Sequence, residues 1–293
     1  MSFKQNRLMP NQFVITIVNP KGGTGKSTTC FHFSLSLSKK GKTLVTDMDM
    51  QGDISDAFFP DTPIEEFDKA NTFTVIRGET TLKDSIKTAQ GVDVLVASLE
   101  MENFGFHSFT NQALIPKLGF ILRKTDYDFI VIDTPGSGAP ETVSSIMASD
   151  YVLIPVKASK WSTRTIKKVL KKVNEAQTFL NLMNSGRTIQ TFILPVQWGR
   201  RTNPSLKSVD ILEQLKNYDK ILSKLKAKEE GFDLVLNPII ADPIPFIQEM
   251  DDRTESGEPF RADTIGSMHF ENLTNFIIQE HNKINKKKDS RVS

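Results

Sequence analysis

Cysteine is nearly absent from this 293-residue chain, and having only Cys30 excludes several chemistries. One thiol cannot close an internal disulfide, and alone it cannot build a cysteine-based zinc or iron–sulfur site. Long apolar runs are missing too, none approaching the ~18 residues that a membrane span needs. The first residues, MSFKQNRLMPNQ, hold no apolar stretch of a secretory signal. These absences point to a reducing, cytoplasmic setting. Net charge is also scarce, +2 from 37 Lys+Arg against 35 Asp+Glu, which taken whole argues against a nucleic-acid partner.

That near-zero total is a cancellation. Residues 1–157 carry a net −3, residues 158–228 a net +11, residues 229–282 a net −10 and the last 11 residues a net +4. A block at +11 fits either a polyanionic partner or a set of well-solvated helix faces.

Apolar runs and helical periodicity alternate along the chain. Strand candidates are Phe13–Asn19, Thr43–Asp47, Val92–Ala97, Phe129–Asp133, Tyr151–Val156, Thr188–Val196 and Phe232–Ile240. Helical patterns fall at 26–40 and near 111–124, 140–149, 162–182, 203–227, 243–250 and 267–285. Near-continuous apolar strands alternating with helices predict an α/β fold, a doubly wound, mainly parallel sheet flanked by helices. With no repeat and no long linker, residues 1–282 read as one domain, followed by a basic tail at 283–293. Phe59–Thr72 is acidic and loop-like.

Directly after the first strand stands Pro20-Lys21-Gly22-Gly23-Thr24-Gly25-Lys26-Ser27-Thr28, opening into a helix. It fits G-x-x-x-x-G-K-[ST] only loosely, because Pro20 occupies the first glycine's place and a second lysine, Lys21, begins the loop. Consecutive glycines let backbone N–H groups converge on phosphate oxygens, and the helix N-terminus adds its dipole. Lys26 can reach β- and γ-phosphates, and the Ser27 hydroxyl can ligate Mg²⁺.

This loop resembles the deviant Walker A motif of the ParA/MinD ATPases, a P-loop NTPase family. Thr46-Asp47-Met48-Asp49-Met50-Gln51-Gly52-Asp53 is similar to the family's D-x-D-P-Q-G segment, with Met50 for the usual Pro. Asp133-Thr134-Pro135-Gly136 is similar to its D-x-P-P segment, with Gly136 for the second Pro. Together the similarities span roughly residues 13 to 260. The resemblance implies ATP and Mg²⁺ as cofactors, with Lys21 through Thr28 on the phosphates. It implies that Lys21 reaches across an ATP-dependent homodimer to the other subunit's phosphates. Asp49 then positions or activates the attacking water, while Ser27, Asp133 and Asp47 face the Mg²⁺, Asp47 either in its shell or supporting the switch segment. Lys21, Lys26 and Asp49 would carry the catalysis.

No N-K-x-D tetrad signals guanine, so ATP is favoured; the lone cysteine removes the iron-protein branch, and a single loop removes the duplicated arsenite-pump type. Between the DNA-segregating and membrane-cycling branches the basic block discriminates. Arg164, Lys167, Lys168, Lys171 and Lys172 recur on one face of the 162–182 helix, and Ile166, Val169, Leu170, Val173 and Leu180 lie largely on the other. Such a stripe can neutralise several backbone phosphates without reading sequence. Gln197-Trp198-Gly199-Arg200-Arg201-Thr202-Asn203 resembles the ParA-type D-x-R-T-N segment, which implies non-specific DNA binding by Arg201 and Arg200 and a nucleotide-base contact by Gln197. The family's second basic site has no arginine counterpart until Arg253. Phe270, Leu273, Phe276 and Ile277 form a stripe expected to face the core rather than a membrane. The resemblance therefore implies a partitioning ATPase without an N-terminal helix-turn-helix domain. Its ATP-bound dimer binds DNA on the nucleoid, and a ParB-like centromere-binding protein stimulates its slow hydrolysis to move a plasmid or chromosome. A membrane-cycling ATPase and an ATP-gated dimeric scaffold with negligible turnover are the competing expectations.

Overall fold

A computed structural model describes residues 12–136, 139–157, 162–197, 238–245, 247 and 249–292. In chain order the strands are β1 (Phe13–Ile17), β2 (Thr43–Asp47), β3 (Ile86–Ala89), β4 (Val92–Leu95), β5 (Phe129–Asp133), β6 (Tyr151–Lys157), β7 (Gln190–Val196) and β8 (Ile239–Ile240). The α-helices are α1 (Lys26–Ser38), α2 (Asp53–Phe58), α3 (Thr72–Arg77), α4 (Leu82–Ser85), α5 (Phe104–Thr110), α6 (Leu114–Leu122), α7 (Pro140–Ala148), α8 (Ser162–Leu182), α9 (Met250–Glu255) and α10 (Ile265–Val292).

The strands form one sheet in the order β3-β4-β2-β5-β1-β6-β7-β8. Every pairing is parallel except β3 with β4. The expected mainly parallel α/β sheet is what the chain forms. β1 lies between β5 and β6, so the chain leaves it in one direction and returns on the other side. That reversal opens a crevice at the carboxyl ends of the central strands. Register fixes what meets there, because Ile17 pairs with Asp133 and Asp133 with Asp47. Three strand ends therefore finish level, two of them in carboxylates.

Both sheet faces are covered, as near-continuous apolar strands require. Phe13, Ile15 and Ile17 pack with Phe129, Val131 and the apolar residues of α1 and α10, whereas Val14, Ile130 and Ile132 pack toward α3, α5 and α6. A further core joins β6 and β7 to α7 and α8. On α10, Phe270, Leu273 and Ile277 are buried against the α1 side, and Thr274 Oγ1 donates to Ser36 Oγ at 2.9 Å. The terminal stripe thus faces the core. The helix itself continues to Val292, carrying the expected basic tail as helical turns. No helix among the described residues is long and apolar enough to cross a membrane.

Several boundaries differ from the sequence reading. Near 243–250 the described residues ahead of α9 are not helical: Ala241 N donates to Ile193 O (2.9 Å) and Ile244 N to Pro195 O (2.8 Å), an extended path along β7. Pro243 and Pro245 disfavour helical backbone before α9. A further strand, β3, pairs with β4 through Gln90 (φ 53°) and Gly91 (φ 76°), the left-handed pair that a tight hairpin demands. In the acidic segment, Ile64–Phe67 is a 3₁₀ turn, and Asn71 caps α3 by accepting from Phe73 N and Thr74 N. The 203–227 helix and most of the 232–240 strand fall outside the described residues.

Candidate phosphate and metal site

The loop between β1 and α1 is tied to β6 before it turns. Val18 N donates to Leu153 O at 2.9 Å and Asn19 Nδ2 to Pro155 O at 2.6 Å. Asn19 Oδ1 accepts from Lys21 N at 2.9 Å, and Thr24 Oγ1 closes the turn onto Lys21 O at 3.1 Å. Gly23 (φ +65°) and Gly25 (φ +80°) take left-handed conformations that strain L side chains, which explains those glycines. A Cβ added at Gly22, Gly23 or Gly25 would meet nothing within 4 Å, so the space beside these glycines is open. Gly25 is the N-cap of α1; no side chain caps that end and no acidic residue lies in its first turn. Its N–H groups and dipole are presented to an anion. Lys26 is buried at the head of the helix and Lys21 is exposed.

Ser27 Oγ donates to Asp133 Oδ2 at 2.7 Å across the crevice. Asp133 is fully buried, and its other oxygen, Oδ1, has no hydrogen-bond partner. Burial pushes the carboxyl from 3.8 to about 7; the Ser27 hydroxyl and Lys26 oppose the rise, and Asp49 and Asp53 reinforce it. A buried polar atom without a partner is costly, and here it lies beside a serine hydroxyl and a phosphate-type loop. Among the described residues no three His, Cys, Asp or Glu side chains gather to hold a metal. The pair fits Mg²⁺, which takes one or two protein oxygens and completes its shell with phosphate and water.

Asp47 is arranged differently. Its Oδ1 accepts from Asp49 N (2.9 Å), and its Oδ2 from Ser55 Oγ (2.6 Å) and Ser55 N (3.2 Å). Burial and the neighbouring Asp133 raise its pKa well above the ordinary value. With both oxygens engaged, the geometry favours supporting the switch segment over the metal shell. Asp49, 9% exposed, accepts from Gln51 N at 3.1 Å. Burial raises its pKa; the Gln51 N–H and Lys26 oppose the rise, and Asp53 adds to it. The 134–136 turn comes close from the other side, since a Cβ at Gly136 would sit 3.6 Å from Lys26 Nζ and 3.8 Å from Gly22 N. Lys26, Ser27, Asp47, Asp49 and Asp133 therefore converge on one edge.

Asn19, Ser55, Thr134 and Asp251 escaped sequence reasoning. Thr134 Oγ1 donates to Ile17 O at 2.7 Å, and Thr28 Oγ1 to Asp251 Oδ1 of α9 at 3.3 Å. Asn19 had a legible signal, an Asx-type side chain two residues before the N–H it receives. Ser55 and Asp251 had none.

The lysines expected to meet DNA lie on α8, the helix that follows β6 in the chain. Lys167, Lys168 and Lys171 are exposed and Lys172 half-buried, while Ile166, Val169, Leu170, Val173 and Leu180 are buried. The expected two-faced helix is present, with Arg164 in its first turn. Gln197 follows β7, half-buried with φ 53°. Arg200 and Arg201 lie outside the described residues.

Residues 12–184 match a family model described as an AAA domain. The sporulation initiation inhibitor protein Soj of Bacillus subtilis is 29% identical over 219 residues, covering 70% of this chain and 79% of that one. Other relatives, at 25–30% identity, are spanned over 60–66% of their own length. A plasmid partition protein from Borrelia burgdorferi, solved with AMPPNP, superposes with a TM-score of 0.66 at 23% identity, over 92% of this chain and 99% of that one. A cobyrinic acid a,c-diamide synthase from Mycobacterium smegmatis, with an ATP analogue and magnesium, gives 0.69 at 18% identity, over 92% and 95%. At such identities these two structures establish the fold, which hosts more than one function.

Proposed function

The chain belongs to the AAA domain family and, within it, to the ParA/MinD ATPases with a deviant Walker A loop, and from that membership we propose that it is a ParA-type partitioning ATPase. It binds ATP with Mg²⁺. The glycine loop and uncapped α1 terminus receive the phosphates, and Lys26 neutralises them from the head of the helix. Ser27 and Asp133 hold Mg²⁺, which supplies charge neutralisation at the phosphate oxygens. Asp49 orients the attacking water, and Asp47 holds the Asp49 backbone. Lys21, exposed at the loop's start, reaches the second subunit's nucleotide in an ATP-dependent homodimer. The observation that carries the ATPase reading is the Ser27–Asp133 pair, with its unpartnered Asp133 oxygen, beside an open glycine loop.

DNA is the second ligand. The ATP-bound dimer presents the lysine face of α8 from each subunit, joined by Arg200 and Arg201, and binds duplex without sequence preference. A ParB-like centromere-binding partner stimulates the slow hydrolysis and releases the dimer, so that a plasmid or chromosome is moved over the nucleoid in the cytoplasm. The exposed Lys167, Lys168 and Lys171 support this reading. Burial of the Phe270, Leu273 and Ile277 stripe supports this reading over a membrane-cycling one. The test is retention of the purified chain on random-sequence duplex at low salt with ATP, ADP and no nucleotide. Binding only with ATP, lost steeply as salt rises, is the expected result; no ATP-dependent retention sinks the proposal.

A further inference from the structure

We propose that Ser55 is a positioning residue for the water-orienting Asp49, acting through Asp47; this rests on the ATPase reading above. Ser55 is fully buried in the first turn of α2 and makes no hydrogen bond to the phosphate loop; its partner at the crevice is Asp47. Its hydroxyl is saturated in both directions. Oγ donates to Asp47 Oδ2 at 2.6 Å and accepts from Ala97 N, just beyond β4, at 3.0 Å. Its backbone N–H donates to the same Asp47 oxygen at 3.2 Å. The opposite oxygen of Asp47 accepts from Asp49 N at 2.9 Å. A relay of three hydrogen bonds therefore runs from Ala97 through Ser55 and Asp47 to the backbone of Asp49, joining two neighbouring strand ends and α2.

The relay matters because the Asp47 carboxylate holds the backbone N–H of Asp49 itself. The Asp49 carboxylate accepts from Gln51 N and its carbonyl from Gly52 N (3.0 Å), both within its own turn. Those local bonds shape the turn, and Met48 N, donating to Asp133 O at 3.1 Å, holds the preceding peptide to β5; the peptide that carries the Asp49 N–H is held by Asp47. The Asp47 bond is the tether to the sheet among the hydrogen bonds of Asp49. Removing the Ser55 hydroxyl takes from Asp47 its shortest bond and leaves Ala97 N without its acceptor. The carboxylate can then rotate and release Asp49 N. A displacement of about 1 Å at a water-orienting group lowers turnover by ~100-fold without weakening ground-state binding. The alternative role, a plain stabiliser of α2, predicts a lower melting temperature with kcat unchanged.

Ser55→Ala, Ser55→Thr and Ser55→Cys in the full chain separate these roles. Phosphate release gives kcat, a fluorescent ATP analogue with Mg²⁺ gives nucleotide affinity, and thermal unfolding reports stability. Ser55→Ala should lower kcat by ~10- to 100-fold with affinity within ~3-fold of wild type, and Ser55→Thr, which keeps the hydroxyl, should restore kcat. Ser55→Cys is near-isosteric with a weak donor and should be intermediate; it carries the test if the alanine variant does not fold. Wild-type kcat in Ser55→Ala or Ser55→Cys overturns the inference, as does a parallel loss of affinity and turnover that threonine fails to restore. Wild-type protein without any ATP turnover overturns the ATPase reading itself, and the inference with it.

Discussion

Without nucleotide, the wild-type chain should lose stability as pH rises toward neutrality, and Asp133→Asn should remove much of that loss. Asp133 is fully buried and its pKa stands at about 7 against an ordinary 3.8. Between those values the folded chain binds a proton that the unfolded chain has released, so unfolding free energy falls as pH rises. The contribution is fully present below pH ~4 and lost as pH passes ~7. At ~1.4 kcal/mol per pH unit, the displacement corresponds to about 4 kcal/mol, as an order of magnitude. Asparagine keeps an acceptor for the Ser27 hydroxyl but cannot ionise. The variant should therefore match wild type near pH 4 and exceed it by up to about 4 kcal/mol at pH 8. Asp47 and Asp49, both raised, act with the same sign and leave the variant a shallower slope of its own. Urea unfolding at constant ionic strength, with EDTA and no nucleotide, measures the difference. Parallel pH profiles for the two proteins, or a variant less stable at pH 8, would refute the reasoning.

Lys168→Gln with Lys171→Gln should flatten the salt dependence of DNA binding. Four lysines per dimer are worth about 3.6 in the slope of log K against log salt, or about 150-fold between 50 and 200 mM. Fluorescence anisotropy on a random duplex checks this, and an unchanged slope defeats the α8 assignment. Asp49→Ala should cut phosphate release by ~100-fold or more while ATP-dependent dimers persist in light scattering; ordinary turnover would dismiss its role. Gly257→Ala should destabilise by about 1–3 kcal/mol, because the residue sits at φ +66° and an added Cβ would lie 2.7 Å from Ala57 O. An unshifted urea midpoint would contradict that.

The central part of the fold was legible because its signals are local. Short β-branched apolar runs such as FVITI and FIVID favour strands buried on both faces, and the glycine loop after the first of them announces an anion site. What escaped was set by distance along the chain. β3 is four residues of mixed exposure, a strand only because β4 lies antiparallel beside it; the Gln90–Gly91 turn was its one local hint. The pattern near 243–250 had helical periodicity, but two prolines and pairing to β7 prevailed. Of the site, the motifs contributed Lys26, Ser27, Asp47, Asp49 and Asp133. Ser55 and Asp251 stayed hidden because nothing near them in sequence differs from an ordinary helix residue. Their partners are Asp47, eight residues away, and Thr28, 223 residues away.

The two strand-end aspartates show why a motif names candidates without assigning their roles. Asp47 and Asp133 are register partners on adjacent strands, both fully buried, and each disfavours the charge of the other. By residue type, burial and position they are equivalent, and the sequence left Asp47 either beside Asp133 at the metal or supporting the switch segment. Hydrogen bonding separates them. Asp47 accepts three bonds from its own chain and is held as a structural anchor for the segment that carries Asp49. Asp133 accepts one, from a serine in the phosphate loop, and keeps an oxygen without a partner. A buried carboxylate left half-satisfied is unstable unless a proton or a cation completes it. The shift of Asp133 toward neutrality is the proton's version of that completion. Cation binding at the same oxygen would release the proton, so nucleotide-dependent stabilisation should be larger at pH 8, where no proton is held, than at pH 6. A thermal shift with ATP and Mg²⁺ measured at both pH values reads this directly, and an equal or smaller shift at pH 8 would return Asp133 to the structural role that Asp47 already fills.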